Sequence, residues 1–412
     1  MIQNKTQVLV IGAGYAGLLA TMRLAMKSRN QDIQITLVNS SDIFIERPRL
    51  HQFATNQQLK QQSIPAILNG TRVQFIKAVV TTLDINRREV IAQTDANNQR
   101  LNYDYLLYTG GSIFDQDRIP GIREYAYTLS PTGPRSAVTL RSVLPELNHR
   151  RGRLVIVGGG PTGIESAAEF AESYPGLHVS LVTQGKLGEL WGGKIQSHIQ
   201  ETLARFRVSI RDQTIVEQIE QNAILTKNGE SIPFNLCLWA GGFVAPPLAG
   251  ESGLAMNEHG QLLTDLYMRS ISNPFIYAAG DCAQPAKTTG VHVRMAAYTA
   301  TITGAHAADC LYNAIIGASL KPLNFAYLGQ GITLGRSEAV AFNNFPDDQP
   351  KWPILTGQVA IYGREFFVNL LADFPKIERR LPGLRFWPIR GKAKIEAGQN
   401  VQPGKRESRF LK

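Results

Sequence analysis

Cysteine is scarce in this 412-residue chain: Cys237, Cys282 and Cys310 are its only thiols, and no CxxC or CxxxxC pair is present. Three scattered thiols exclude a disulfide framework and a cysteine-ligated zinc site, and no metal site is expected. A reduced, cytoplasmic setting follows as the expectation. Long apolar runs are lacking as well, since no stretch approaches the roughly eighteen uninterrupted apolar residues of a membrane-spanning helix. The apolar start from Val8 to Ala25 is broken by three glycines and by Arg23, so it reads as part of a fold and not as a secretion signal. Short repeats and low-complexity tracts are absent too. With 43% hydrophobic residues the chain is globular, and its length calls for two or three domains.

The formal net charge is +10, and much of the excess lies at the C-terminus. From Lys376 to Lys412 there are eleven Lys or Arg against Glu378, Glu396 and Glu407. Phe374, Ile377, Leu381, Leu384, Phe386, Trp387 and Ile389 are interleaved with them. A basic segment with aromatic and aliphatic anchors suits an anionic membrane surface, which would make the protein peripheral on the cytoplasmic face. A domain-covering segment followed by a solvated basic tail has the same composition. Pro382 and Pro388 prevent one long helix there. No nucleic-acid-binding module is visible, so nucleic acid is not an expected partner; a homodimer is left open.

What the chain does have is a duplicated turn. Gly12-Ala13-Gly14-Tyr15-Ala16-Gly17 and Gly158-Gly159-Gly160-Pro161-Thr162-Gly163 lie 146 residues apart. Each follows a short apolar run, Val8–Ile11 or Leu154–Val157, and opens an alanine-rich stretch with helical spacing. In such strand–turn–helix units the first glycine permits the turn, the second lets a pyrophosphate approach the backbone, and the third lets helix pack on strand. The helix N-terminal amides then face the phosphates. Two such units predict two dinucleotides.

Further strands are expected at 33–39, 72–76, 106–108, 179–183, 236–240 and 275–278, with a helix over roughly 293–313. The pattern is α/β and doubly wound. Tyr108-Thr109-Gly110-Gly111-Ser112 and Trp239-Ala240-Gly241-Gly242 end strands in glycine turns, and domain crossings are placed there. Residues 1–112 and 245–321 are then two segments of one nucleotide-binding domain, 113–244 a second, and 322–412 a smaller α+β C-terminal region. Beyond Pro322 the pattern becomes β-rich, with a loop at Asn343–Pro353.

The order of two GxGxxG turns, Thr109-Gly110-Gly111, Trp239-Ala240-Gly241-Gly242 and then Ile276-Tyr277-Ala278-Ala279-Gly280-Asp281-Cys282-Ala283 resembles the two-dinucleotide-binding flavoprotein superfamily over about residues 7–310. The absence of a redox cysteine pair argues against a disulfide reductase. The segment from Phe44 to Ala54, with Glu46-Arg47-Pro48-Arg49-Leu50-His51, resembles type II NADH:quinone oxidoreductases and their apoptosis-inducing-factor-like relatives. The resemblance implies two Rossmann-like domains holding FAD and NAD(P)H, with hydride passing from nicotinamide to flavin and electrons then to a quinone or another small two-electron acceptor. Ferredoxin reductases also carry Arg-Pro-x-Leu here, so a ferredoxin-type or biosynthetic flavin reductase is an alternative. A redox-sensing nucleotide-binding protein without turnover is another.

By the same resemblance the FAD contacts are Gly12, Gly14, Tyr15, Ala16, Gly17, Asn39, Arg47, Thr109, Gly110, Gly280 and Asp281, and those of NAD(P)H are Gly158, Gly160, Gly163, Glu165, Thr183 and Gly241. Asn39 stands where an acidic residue is expected, and can still bond a ribose hydroxyl. Thr183, followed by Gln184-Gly185-Lys186, stands where NADH-selective proteins show Glu, which leaves NADPH open. Glu165 matches a glutamate near the nicotinamide–flavin contact, and a first-turn Glu favoured by the helix dipole looks the same. His51 and Glu46 are candidate proton donors or relays. The helix that borders the quinone in type II enzymes carries two glutamines that are replaced here, and Tyr298 and Arg294 are the candidates on the acceptor side.

Overall fold

The computed structural model describes residues 5–286, 293–345 and 348–389. Two five-stranded parallel sheets form its centre. In the first the strand order is Ile276–Ala278, Tyr105–Tyr108, Thr6–Ile11, Ile33–Asn39, Gln74–Lys77. In the second it is Ala126–Tyr127, Leu236–Trp239, Arg153–Val157, His178–Val182, Ser209–Arg211. Each glycine-turn strand is central, flanked by the strand that follows its helix and by the one that ends in the second glycine turn. The glycine-turn strands are short β-branched and leucine runs, buried on both faces at Val8–Ile11 and Leu154–Val157, as parallel sheets require. A three-stranded antiparallel sheet hangs from each unit, Val79–Asn102 on the first and Val216–Pro233 on the second. The chain crosses between the units at Ile113–Phe114 and Phe243–Val244, which pair antiparallel. This is an α/β fold with two Rossmann-like units.

The C-terminal region is not a separate body. Its antiparallel strands Gly329–Thr333, Ala339–Asn344 and Pro350–Thr356 put Ile332, Leu334, Val340 and Phe342 into the second core. The helix Gly357–Arg380 that follows puts Leu371, Ala372 and Phe374 into the first. The expected loop at Asn343–Pro353 is therefore shorter, with both ends recruited into a hairpin. The long helix runs past Pro375 and stops before Pro382, which fixes its end. Most of the basic tail, from residue 390, lies outside the described residues.

The helix expected from residue 293 begins at Ala297 and ends at Ile315. It crosses the first glycine-turn helix, Tyr15–Lys27, so closely that a Cβ on Gly304 would meet the Ala16 backbone. That contact sets Gly280 and Asp281 beside the first turn, with a Cβ on Gly280 only 3.0 Å from that of Ala16.

Candidate active site

The three glycines of each turn divide into two kinds. Gly12 has φ of +95° and Gly158 of +130°, a backbone that L side chains rarely adopt. A Cβ on Gly17 would run into the Gly12 carbonyl, and one on Gly163 into the Gly158 carbonyl. These four are explained by the fold. Gly14 and Gly160 have ordinary backbone angles, φ −74° and −79°, are exposed, and would meet nothing within 4 Å. Each is also the N-cap of its helix and offers no side-chain cap, leaving helix amides open toward that space. Two anion-accepting helix ends result.

Around the first turn the neighbours are already committed or conspicuously unpaired. Thr109 Oγ1 donates to the carbonyls of Ile11 and Gly12 at 2.7 and 2.9 Å, so it clamps the turn from below. Ala240, its counterpart in the second unit, does so through backbone alone, its amide 2.8 Å from the Val157 carbonyl. Asn39 Oδ1 accepts from the Ala13 amide at 2.9 Å, while Nδ2 donates to the Ser41 carbonyl. Asp281 Oδ2 accepts from Ser112 Oγ at 2.7 Å, and among the described residues Oδ1 is buried without a close hydrogen-bond partner. Burial pushes the Asp281 carboxyl up, opposed by Ser112 and by the Arg47 guanidinium. Arg47 Nη1 donates to the Ser112 carbonyl at 2.5 Å, so Arg47, Ser112 and Asp281 form one polar edge. The Tyr15 hydroxyl is likewise buried and unpaired among the described residues, its ring edge-on to Phe44. A buried carboxylate oxygen and a phenol without partners beside an open helix end fit a polar ligand such as FAD. Gly110 packs against the Tyr108 ring and Gly241 against Trp239.

In the second unit Glu165 sits on the helix Pro161–Ser173 and is buried. Its Oε1 accepts from the Thr333 amide at 3.1 Å, Thr333 Oγ1 at 3.0 Å and Arg364 Nη2 at 3.2 Å. Thr333 Oγ1 lies 3.5 Å from His51 Nε2, so a hydroxyl bridges imidazole and carboxylate. His51 is fully enclosed, and burial holds its imidazole below the ordinary value. Arg364 also donates to Glu365 at 2.8 Å and to the Pro48 carbonyl at 3.0 Å. Glu365 continues to Arg49 at 2.5 Å, and Arg49 to Glu46 at 2.9 Å. Three carboxylates and two guanidiniums thus join the 46–52 segment, the second nucleotide helix and the C-terminal region. Sequence reasoning named Glu165, His51 and Glu46 but missed Thr333, Arg49, Arg364 and Glu365.

Other expected residues are placed elsewhere. Glu169 is structural, accepting from Thr55, Gln57, Ser173 and Arg336. Tyr298 donates to the Ala326 carbonyl at 3.0 Å within an aromatic group that includes Tyr327, Phe367 and Phe386. Arg294 is held by Gln330 and Asp348 and lies over the Tyr327 ring. Cys282 is buried, its thiol pushed up to about 12 by burial, which makes it inert packing.

Comparison with known proteins agrees with this architecture. The demethylphylloquinone reductase NdbB of Synechocystis sp. is 25% identical over 354 residues, covering 82% of this chain and 87% of that protein. The type II NADH:quinone oxidoreductase of Staphylococcus saprophyticus is 24% identical, covering 82% and 90%. Among solved structures, the sulfide:quinone oxidoreductase of Aquifex aeolicus superposes with a TM-score of 0.74 at 17% identity, over 94% of this chain and 98% of that one. The profile of one family, described as pyridine nucleotide-disulphide oxidoreductase, matches residues 6–304. Over nearly the whole of the doubled nucleotide-binding architecture, the chain therefore belongs to the pyridine nucleotide-disulphide oxidoreductase family.

Proposed function

We propose that this chain is an FAD-dependent NAD(P)H oxidoreductase that delivers electrons to a quinone. The observation that carries the reading is the pair of open glycine faces at Gly14 and Gly160, each at an uncapped helix end in an equivalent unit. Residues 1–112 and 245–321 build the FAD domain, 113–244 the NAD(P)H domain, and 322–412 the C-terminal region, whose described residues pack into both cores. When bound, the flavin supplies the two-electron relay between nicotinamide and acceptor.

The chain's own part is positioning. Gly14 and the amides after it hold the FAD pyrophosphate, with Gly12, Ala16 and Gly17 shaping the approach. Asn39 faces the adenosine ribose, and Asp281, Arg47, Tyr15, Thr109, Gly110 and Gly280 line the ribityl and ring side. Gly160, with Gly158 and Gly163 shaping its turn, takes the NAD(P)H pyrophosphate, and Thr183 and Gly241 flank it. Glu165, paired with Arg364, orients the nicotinamide, and His51 exchanges a proton with it through Thr333. Tyr298 and its aromatic neighbours form the acceptor wall. The quinone chemistry in the names of the relatives supports that acceptor.

A peripheral membrane location is supported by the outer face of the C-terminal region. Val359, Tyr362 and Phe366, at successive turns of the long helix, are 63%, 71% and 69% exposed, with Trp352 and Leu355 beside them. Lys194 and Lys351 lie over the rings of Trp352 and Phe345. An apolar stripe fringed by lysines suits an anionic bilayer surface. No helix among the described residues is long and apolar enough to cross a membrane. Replacing Val359, Tyr362 and Phe366 together by Ser is expected to abolish co-sedimentation with anionic vesicles. If the variant instead sediments as a monomer where the wild type is a dimer, the face serves self-association.

The test of the activity is anaerobic titration of the flavin-loaded protein with NADH and separately NADPH, following the visible flavin band. Bleaching followed by recovery on adding a soluble quinone is expected. A bound flavin that neither nucleotide bleaches would overturn the reading.

A further inference from the structure

Internal duplication gives residues of the second unit counterparts in the first. Ile11 pairs with Val38 across neighbouring strands, and Val157 with Val182. The next residues, Asn39 and Thr183, therefore occupy the same place. Both touch the middle of their glycine turn: Asn39 bonds the Ala13 amide, and Thr183 Cβ stands 2.7 Å from where a Cβ on Gly159 would be. In a fold of this kind that place faces the adenosine ribose, where an Asp or Glu accepts the 2′-hydroxyl and repels a 2′-phosphate.

Thr183 carries no charge. Gln184, Gly185 and Lys186 follow it and are exposed, and Lys186 enters no ion pair among the described residues. The loop is nonetheless well held. The Gln213 amide donates to the Gly185 carbonyl at 3.2 Å and the Thr214 amide to that of Thr183 at 2.9 Å. Asp212 spends Oδ1 on the Leu187 amide at 2.9 Å, and Glu230 is paired with Arg211 at 2.5 Å. The one neighbouring carboxylate on the loop's own continuation is Glu189, exposed on the next turn. The ribose position on the strand itself thus has no carboxylate, the neighbouring Asp212 being turned to the Leu187 amide, and the Lys186 ammonium, in no ion pair among the described residues, lies three residues along a held loop.

We propose that the second nucleotide site takes the 2′-phosphorylated dinucleotide NADPH in preference to NADH, with Lys186 as the phosphate contact and Thr183 as the residue that leaves room for it. The inference rests on the nucleotide assignment proposed above, and its test separates the two. Flavin-loaded protein is titrated calorimetrically with NADP+ and NAD+, and with 2′,5′-ADP and ADP as fragments without nicotinamide. The 2′-phosphorylated member of each pair is expected to bind about tenfold tighter, the size of one charge contact near a protein surface. Lys186→Ala removes most of that difference. Thr183→Glu weakens NADP+ by about tenfold or more and leaves NAD+ within about threefold. Tighter binding of NAD+ by the wild type, with NADH bleaching the flavin, overturns the preference and leaves the oxidoreductase reading standing. A preference that survives Lys186→Ala overturns the phosphate contact. Failure of all four ligands to bind overturns both readings.

Discussion

Removing Arg23 should be among the most damaging single changes away from the nucleotide sites. Arg23 lies on the first glycine-turn helix, 1% exposed, and its Nη2 is 2.7 Å from Glu378 Oε2, which is 1% exposed on the C-terminal helix. It also donates to the Leu384 carbonyl at 2.7 Å and to Asp309 at 3.2 Å. Breaking a buried pair by removing one partner costs about 3–5 kcal/mol, because the other charge is left uncompensated. Arg23→Met strands Glu378 with only the Gly383 amide at 2.6 Å, so it should reach the upper end. Glu378→Ala leaves Arg23 with Asp309 and the Leu384 carbonyl, which places it near about 3 kcal/mol. With an unfolding entropy of about 2.1 cal/mol/K per residue over 412 residues, about 1 °C per kcal/mol, that variant should melt about 3–4 °C below the wild type. The double change Arg23→Met with Glu378→Leu removes both charges, and Asp309 keeps Lys27 at 2.5 Å. It should recover at least half the loss of Arg23→Met in thermal unfolding of the flavin-loaded protein. A double variant as unstable as Arg23→Met, or a Glu378→Ala variant that melts with the wild type, would refute the reasoning.

Gly14→Glu and Gly160→Glu should both fold, since neither Cβ meets anything within 4 Å, but the first should lose flavin on purification and the second should keep flavin that NAD(P)H no longer bleaches. Normal reduction of Gly160→Glu would reverse the domain assignment. Burial depresses the His51 imidazole below its ordinary 6.5, so the folded state stays neutral while the unfolded chain gains a proton. Stability is therefore fully present above about pH 6.5 and is lost as pH falls, at up to about 1.4 kcal/mol per pH unit, and His51→Gln should flatten melting temperature against pH between about 6.5 and 5. Thr333→Val removes a buried donor to the Glu165 carboxylate and should cost about 1.5–3 kcal/mol in denaturant titration, with Thr333→Ser restoring most of it.

Eight of the ten strands of the two parallel sheets were legible to within two residues, most of them buried apolar runs bounded by turns, whereas the short edge strands Ala126–Tyr127 and Ser209–Arg211 carry no such run and went unread. The C-terminal helix was not. Its buried positions include Arg364 and Glu378, while Val359, Tyr362 and Phe366 face outward, so the apolar pattern that marks a helix face is partly inverted. The same inversion hid the ion-pair network around Glu165: Arg364 lies 199 residues beyond Glu165, and nothing local to either announces a partner. Proximity of that kind is set by how the C-terminal hairpin and helix close over both units, which is a property of the assembled cores.

The glycine turns show the complementary limit. Six glycines at matching positions look alike in sequence, and the motif assigns them different reasons only by analogy. Backbone angle and packing now separate them. Gly12, Gly17, Gly158 and Gly163 are required by the fold itself, through positive φ or through a carbonyl where a Cβ would stand. At Gly14 and Gly160 neither constraint applies, and a residue with a side chain would gain helix-capping or propensity energy at no steric cost. Glycine at these two places is unexplained by stability and is explained by something that must approach the backbone closely. The fold therefore points to its ligands most directly where it asks least of the residue.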